Sequence, residues 1–113
     1  MKVIKLIFSI NRETFFIEIA NKLVIYKDRK VSQSMQLVPK DPDYKKKVIL
    51  SRNRIPAYIV DFIEQANTGK NLEEYQAAQT DEDLVKIVTF DCKSRGAKLE
   101  KREELFRSES NGY

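Results

Sequence analysis

The N-terminal stretch of residues 2–26 reads KVIKLIFSINRETFFIEIANKLVIY. It consists of three runs rich in β-branched and aromatic residues, separated by polar breaks at Asn11-Arg12 and Asn21-Lys22. β-Branched and aromatic side chains favour strands, and Asn tolerates the backbone of a tight turn. The sequence therefore predicts an antiparallel meander of three strands at the start of the chain.

The following residues extend this sheet. The run Val31–Val38 alternates between apolar and polar residues, as a strand with one solvated face does. Residues 39–43 contain two prolines and are predicted to form a loop, because proline cannot donate to a strand ladder. The run Lys45–Ser51 is a basic strand candidate. We therefore expect an N-terminal antiparallel sheet of about five strands over residues 2–51, in an α+β domain.

The stretch RIPAYIVDFIEQA, residues 54–66, predicts an amphipathic helix. Five apolar residues recur at helical spacing and should face the core: Ile55, Ile59, Phe62, Ile63 and Ala66. Pro56 suits the first turn, and Gly69 is a plausible end signal for a helix over residues 55–67. The spacing turns four other residues toward the solvent: Ala57, Asp61, Glu64 and Gln65.

Two shorter helices are predicted after it, over residues 71–79 and 81–95. Asn71 with Glu74, and Thr80 with Asp83, have the spacing of capping boxes, and Gly96 ends the second helix. The charged residues 97–103 fit either an edge strand or a frayed helix extension. We expect the helices to pack on the sheet in a single domain of residues 1–106, and residues 107–113 to form a disordered polar tail.

The sequence contains one cysteine, Cys92, and no histidine. This composition excludes an intramolecular disulfide, a multi-cysteine zinc site, and Ser-His or Cys-His catalysis. Two acidic runs, residues 73–74 and 81–83, could bind a metal in a carboxylate-only enzyme, but favourable charge at helix N-termini explains them more simply. We therefore expect no enzyme activity, no catalytic residue, no bound metal and no cofactor.

The charges of the chain are unevenly distributed. Residues 1–54 carry 13 Lys or Arg and 5 Asp or Glu, whereas residues 55–113 carry 8 and 12, so a half of charge +8 precedes a half of charge −4. Lysine and arginine neutralise phosphates, and tyrosine stacks on unpaired bases. The sequence therefore predicts single-stranded or sequence-tolerant nucleic-acid binding through basic and aromatic residues of the first half: Lys27, Arg29, Lys30, Tyr44, Lys45, Lys46, Lys47, Arg52 and Arg54.

The element order over residues 2–66, a basic sheet followed by an amphipathic helix, is similar to that of the Whirly and positive-cofactor types of single-strand binding domain. This similarity is one of element order, without a shared residue motif, and it implies contact with single-stranded nucleic acid. The alternative is a regulatory accessory protein, encoded by a phage or mobile element, that docks on an acidic surface of a host protein.

Two further expectations concern assembly and location. The strands in residues 14–26 carry apolar residues in both alternating phases, so both faces should be covered, either by helices of the same chain or by a second copy in a homodimer. No apolar run approaches the roughly 18 residues that suggest a membrane span. No small-residue cleavage site follows the first ten residues, so we expect a cytoplasmic protein with no membrane contact.

Overall fold

A computed structural model describes residues 1–27, 34–36 and 69–107, together with the helical residues 57, 61, 64 and 65. Within these ranges five strands form one antiparallel sheet in the order β4-β3-β2-β1-β5. The strands are β1 Lys2–Ile10, β2 Glu13–Ala20, β3 Leu23–Lys27, β4 Ser34–Gln36 and β5 Lys98–Phe106. The predicted α+β class and the N-terminal position of the antiparallel sheet are confirmed.

The two breaks in the meander are two-residue hairpin turns. Ile10 pairs with Glu13, and Ala20 pairs with Leu23, so only Asn11-Arg12 and Asn21-Lys22 connect the strands. All four turn residues have positive φ values, between 48° and 66°. Two-residue turns of type I′ need positive φ at both positions. They are favoured in hairpins because the twist of the turn matches the twist of the flanking strands. The asparagines therefore lie where their tolerance of the left-handed region is needed.

The sheet differs from the prediction in the origin of one strand. The predicted sheet lies wholly within residues 2–51, whereas β5 comes from residues after the helices and pairs with β1. This result decides between the two readings of residues 97–103 in favour of an edge strand. Its sequence, KLEKREELF, lacks a continuous apolar face. This composition is typical of an edge strand, and most side chains of β5 are exposed. The strand predicted over Lys45–Ser51 lies outside the described residues.

The two described helices are α1, Gly69–Ala77, and α2, Asp81–Ser94. The predicted capping box of α2 is confirmed, because Thr80 Oγ1 accepts from the Asp83 N–H at 3.1 Å and Asp83 accepts from the Thr80 N–H at 3.2 Å. Gly96 follows α2 with a φ of 88°, which suits glycine after a helix end. Cys92 lies in the last turn, and its side chain is buried.

The predicted start of α1 is wrong by two residues. The helix begins at Gly69, and Asn71 lies inside it. The Asn71 Nδ2 atom donates to the backbone carbonyl of Gln65 at 3.1 Å. Asn71 therefore contacts Gln65 in the preceding helical segment, and a local capping signal does not reveal this partner. Its predicted role as N-cap of α1 is not observed.

The described part of the predicted first helix agrees with its solvent face. Ala57, Asp61, Glu64 and Gln65 are helical and exposed, as their spacing predicts. The apolar residues expected on the other side of this helix lie outside the described residues.

The hydrophobic core lies between the sheet and α2. Phe8 and Phe15, which are paired across β1 and β2, stack with ring centroids 5.4 Å apart. Leu84 and Val88 bring α2 onto this surface. The helix α2 contacts β2 and β5, while α1 packs on α2 and adds the buried Tyr75. The expectation that the helices pack on the sheet therefore holds for α2, whereas α1 reaches the core mainly across α2.

Candidate functional site

The sheet face opposite α2 carries a row of four side chains across four strands. Alternation along the strands turns this face away from α2, because Leu6 and Phe8 on either side of Ile7 point toward α2. The register places Lys27 beside Phe16, Phe16 beside Ile7, and Ile7 beside Lys101. We call this surface the charged face; it comprises the row and the three residues Lys5, Glu18 and Glu103 next to it.

An aromatic ring lies at the centre of the charged face. The Lys5 ammonium is 4.3 Å from the centroid of the Phe16 ring, within the range of a cation–π contact. Both residues are half-buried, as is Ile7. The face therefore combines an accessible aromatic and aliphatic centre with lysines on both sides.

A buried carboxylate lies next to this centre. The side chain of Glu18 is 3% exposed, although it sits on β2 among apolar neighbours. The Arg107 guanidinium binds it with two hydrogen bonds, of 2.5 Å from Nη1 and 3.1 Å from Nη2, and the Lys27 amine lies 3.2 Å away. Bidentate arginine–carboxylate pairs are the strong and directional kind.

Arg107 directly follows β5 and contacts two other parts of the sheet region, Met1 and Glu18. Its backbone N–H donates to the Met1 carbonyl at 2.9 Å, while its guanidinium reaches Glu18 two strands away. The sequence assigns Arg107 to the start of a polar tail, but these contacts hold it on the sheet. Residues 108–113, the rest of the predicted tail, lie outside the described residues.

The structure describes one of the predicted nucleic-acid-binding residues, Lys27. Its amine faces Glu18, so it balances a buried carboxylate, which the sequence prediction did not anticipate. The other predicted residues lie outside the described ranges: Arg29, Lys30, Tyr44, Lys45, Lys46, Lys47, Arg52 and Arg54.

Sequence reasoning missed Glu18 and Phe16 of the charged face, and Arg107, which binds Glu18. A signal for Glu18 was available, because a single carboxylate inside the apolar run TFFIEIA needs a partner if the strand is buried. Phe16 was recognised only as an apolar residue of a two-sided strand. Arg107 carried no local signal, because its partner lies 89 residues away.

Several described cations are paired with carboxylates. Arg102 bonds Glu82 of α2 and Glu104, and Lys101 lies 3.1 Å from Glu103.

The acidic run 81–83 has structural partners at the start of α2. Asp81 accepts from the Lys22 backbone N–H at 2.8 Å, and Glu82 bonds Arg102. Hydrogen bonds from the Gln79 and Thr80 backbone lower the pKa of Asp83. Among the described residues, no group of three or more His, Cys, Asp or Glu side chains is arranged to hold a metal ion.

The buried polar groups at the α1–α2 contact stay protonated at neutral pH. Burial raises the pKa of the Cys92 thiol to about 12, with a further contribution from Asp91. Burial, and then the 2.6 Å hydrogen bond from its hydroxyl to Asp91, raises the pKa of Tyr75. The lone thiol is therefore a poor nucleophile in the folded state.

These shifts predict a loss of stability in alkaline solution. The raised folded-state pKa of Cys92 gives a contribution that is complete well below pH 9, the region of the pKa of an unfolded thiol, begins to be lost near that pH, and is lost progressively as pH rises toward 12. Tyr75 acts in the same direction. Urea midpoints at pH 7, 9 and 10.5 should fall progressively, and the Cys92→Ala variant should lose less between pH 9 and 10.5 than the wild type. An equal loss in both would contradict a role for the thiol.

Two further observations bear on function. No helix in the described part of the chain is long and apolar enough to span a bilayer. Comparisons of the chain with protein-family models, curated proteins and solved structures gave no match, so a functional proposal must rest on sequence and geometry.

Proposed function

We propose that this protein is a small non-catalytic module that binds nucleic acid, single-stranded or sequence-tolerant. The basic residues of segment 28–54, which follows β3, make the contact. The observation that carries the proposal is the separation of charge. Residues 28–54 carry eight Lys or Arg and three Asp or Glu, whereas the rest of the chain together carries 13 and 14. A cationic excess concentrated in one segment is a typical electrostatic feature of phosphate-backbone binding.

The position of the basic segment relative to the sheet supports this proposal. Lys27 ends β3, and residues 28–33 connect it to β4, so the basic segment starts at the sheet. The charged face adds Phe16 as a stacking surface beside the Lys5 amine. Single-stranded nucleic acids bind to surfaces that combine cations along the backbone path with aromatic rings under the bases.

The proposal predicts which lysines determine affinity. The triple variant Lys45→Ala, Lys46→Ala, Lys47→Ala should weaken binding of a single-stranded oligonucleotide at low salt. If each lysine contacts one phosphate, the slope of log K against log salt should become shallower by about 2, at roughly 0.7 per contact. Fluorescence anisotropy at several salt concentrations measures both quantities.

A matched triple variant distinguishes the effect of losing the proposed binding site from the effect of lowering the net charge. Lys86→Ala, Lys93→Ala, Lys98→Ala removes the same three charges from exposed positions of α2 and β5, and it should bind nearly as well as the wild type. Equal weakening by the two triple variants would mean that net charge alone attracts the oligonucleotide. Failure of the wild type to bind single- or double-stranded oligonucleotides at low salt would end the proposal.

A second candidate function is docking on an acidic protein surface, as a regulatory accessory factor. The observation that favours it is Phe90 on α2, which is 74% exposed and has Lys86 and Lys93 one turn away on either side. Aromatic residues are enriched in protein interfaces, and lysines near the contact favour association with an acidic surface. A partner that is captured after nuclease treatment and lost with Phe90→Ala would support this function over the first.

A further inference from the structure

In the part of the chain that the structure describes, the strand β5 forms one edge of the sheet. It lies at the end of the strand order with β1 on one side, and in the described part of the chain no strand pairs with its other side. Six of its nine side chains are exposed, and Phe106 at its end is 80% exposed. A long exposed edge offers unpaired backbone groups to another strand.

The regular part of this edge spans Lys101–Phe106. The pairing with β1 shifts register between Ile7 and Phe8, which leaves Glu100 as an extra residue in β5. Beyond this irregularity the strand pairs residue by residue with β1, from Ile7 opposite Lys101 to Lys2 opposite Phe106. Six residues are enough for a typical strand pairing.

Each face of this edge carries a cation and an anion two residues apart. On the α2 side, Arg102 Nη2 lies 3.1 Å from Glu104 Oε1. On the charged face, Lys101 Nζ lies 3.1 Å from Glu103 Oε1. Edges that resist pairing usually present charges that repel a second copy, but interleaved opposite charges can complement one another across a two-fold axis.

We propose that β5 pairs antiparallel with β5 of a second copy, about a two-fold axis at Glu103, and joins the two sheets into one. This register places Arg102 opposite Glu104 of the second copy, and Glu104 opposite its Arg102. Directly opposite residues in antiparallel strands interact, and opposite charges there are favourable. The two Glu103 carboxylates meet near the axis, where each has Lys101 at 3.1 Å and Lys5 opposite it on β1.

The proposal is tested by reversing charges on the edge. Sedimentation velocity over a range of protein concentrations should show a reversible monomer–dimer equilibrium for the wild type. Arg102→Glu and Glu104→Arg should each weaken dimerisation about tenfold or more, because each puts like charges opposite one another twice. The double variant Arg102→Glu, Glu104→Arg should restore it, because the charges are exchanged but still complementary.

A control removes the contact of Arg102 within its own chain. Glu82→Gln deletes the helix partner of Arg102 but leaves every charge of β5 in place, so its dimerisation should match that of the wild type. Thermal unfolding of each variant, followed by circular dichroism at a concentration where the wild type is monomeric, checks that the fold is kept. If the wild type remains monomeric up to about millimolar concentration, or if the double variant dimerises no better than the single variants, the proposal is wrong.

Discussion

Replacing Glu18 by alanine is expected to lower the free energy of unfolding by about 3 kcal/mol. Breaking a buried ion pair typically costs about 3–5 kcal/mol, because the remaining charge is left without its partner. Here two cations, Arg107 and Lys27, lose the carboxylate that both contact. The lower figure applies because both cations keep partial access to water and can be solvated again. Urea unfolding followed by circular dichroism measures the change.

Two further variants make this result specific. Glu13→Ala removes an exposed glutamate from the start of the same strand and should change stability by less than about 0.5 kcal/mol. The combined replacement Glu18→Met, Lys27→Met, Arg107→Leu should recover most of the loss, since apolar side chains of similar size can replace a buried charge cluster. If Glu18→Ala proves as mild as Glu13→Ala, the cluster does not stabilise the fold.

The Phe8→Ala variant is expected to lose about 3–5 kcal/mol, the usual range for removing a buried phenylalanine. Phe8 is fully buried, stacks on Phe15 and lies in the layer between β1 and α2. The helix and the sheet cannot close the cavity fully, because the neighbouring side chains are held by the strand register. A urea titration gives both the midpoint and the m-value, which shows whether the unfolding remains two-state.

The matched control is Phe90→Ala, the same substitution at an exposed position of α2. It should change stability by no more than about 0.5 kcal/mol, because the Phe90 ring contributes little to the core. A large loss at Phe90, or a small one at Phe8, would contradict the core described here. Because Phe90→Ala should leave the fold intact, any effect it has on partner capture reports directly on the surface of α2.

The proposed function and the stability predictions concern different parts of the chain. Glu18 on β2 bonds Arg107, directly after β5, and Lys27 on β3, so this cluster links three strands of the sheet. The excess of positive charge lies in residues 28–54, which follow β3. Variants of Glu18 should therefore act on binding mainly through stability, whereas variants of Lys45, Lys46 and Lys47 should act on binding at unchanged stability.

Elements whose signals are local can be predicted from the residues of the element alone. The meander follows from three β-rich runs and two asparagine turns, because a two-residue turn depends on the φ values of its own residues. The helix α2 follows from Thr80, Asp83 and Gly96, each of which acts within one turn of a helix end. The exposure of Asp61 and Gln65 follows from helical periodicity alone.

Features that depend on distant partners become visible when the chain is folded. The charged run of β5 becomes a strand because β1 offers it an edge, and its own residues do not choose between strand and helix. The capping role expected of Asn71 gave way to a contact with Gln65. Glu18 can remain charged inside the sheet because Arg107 reaches it from the other end of the chain, and no local pattern encodes a pair separated by 89 residues.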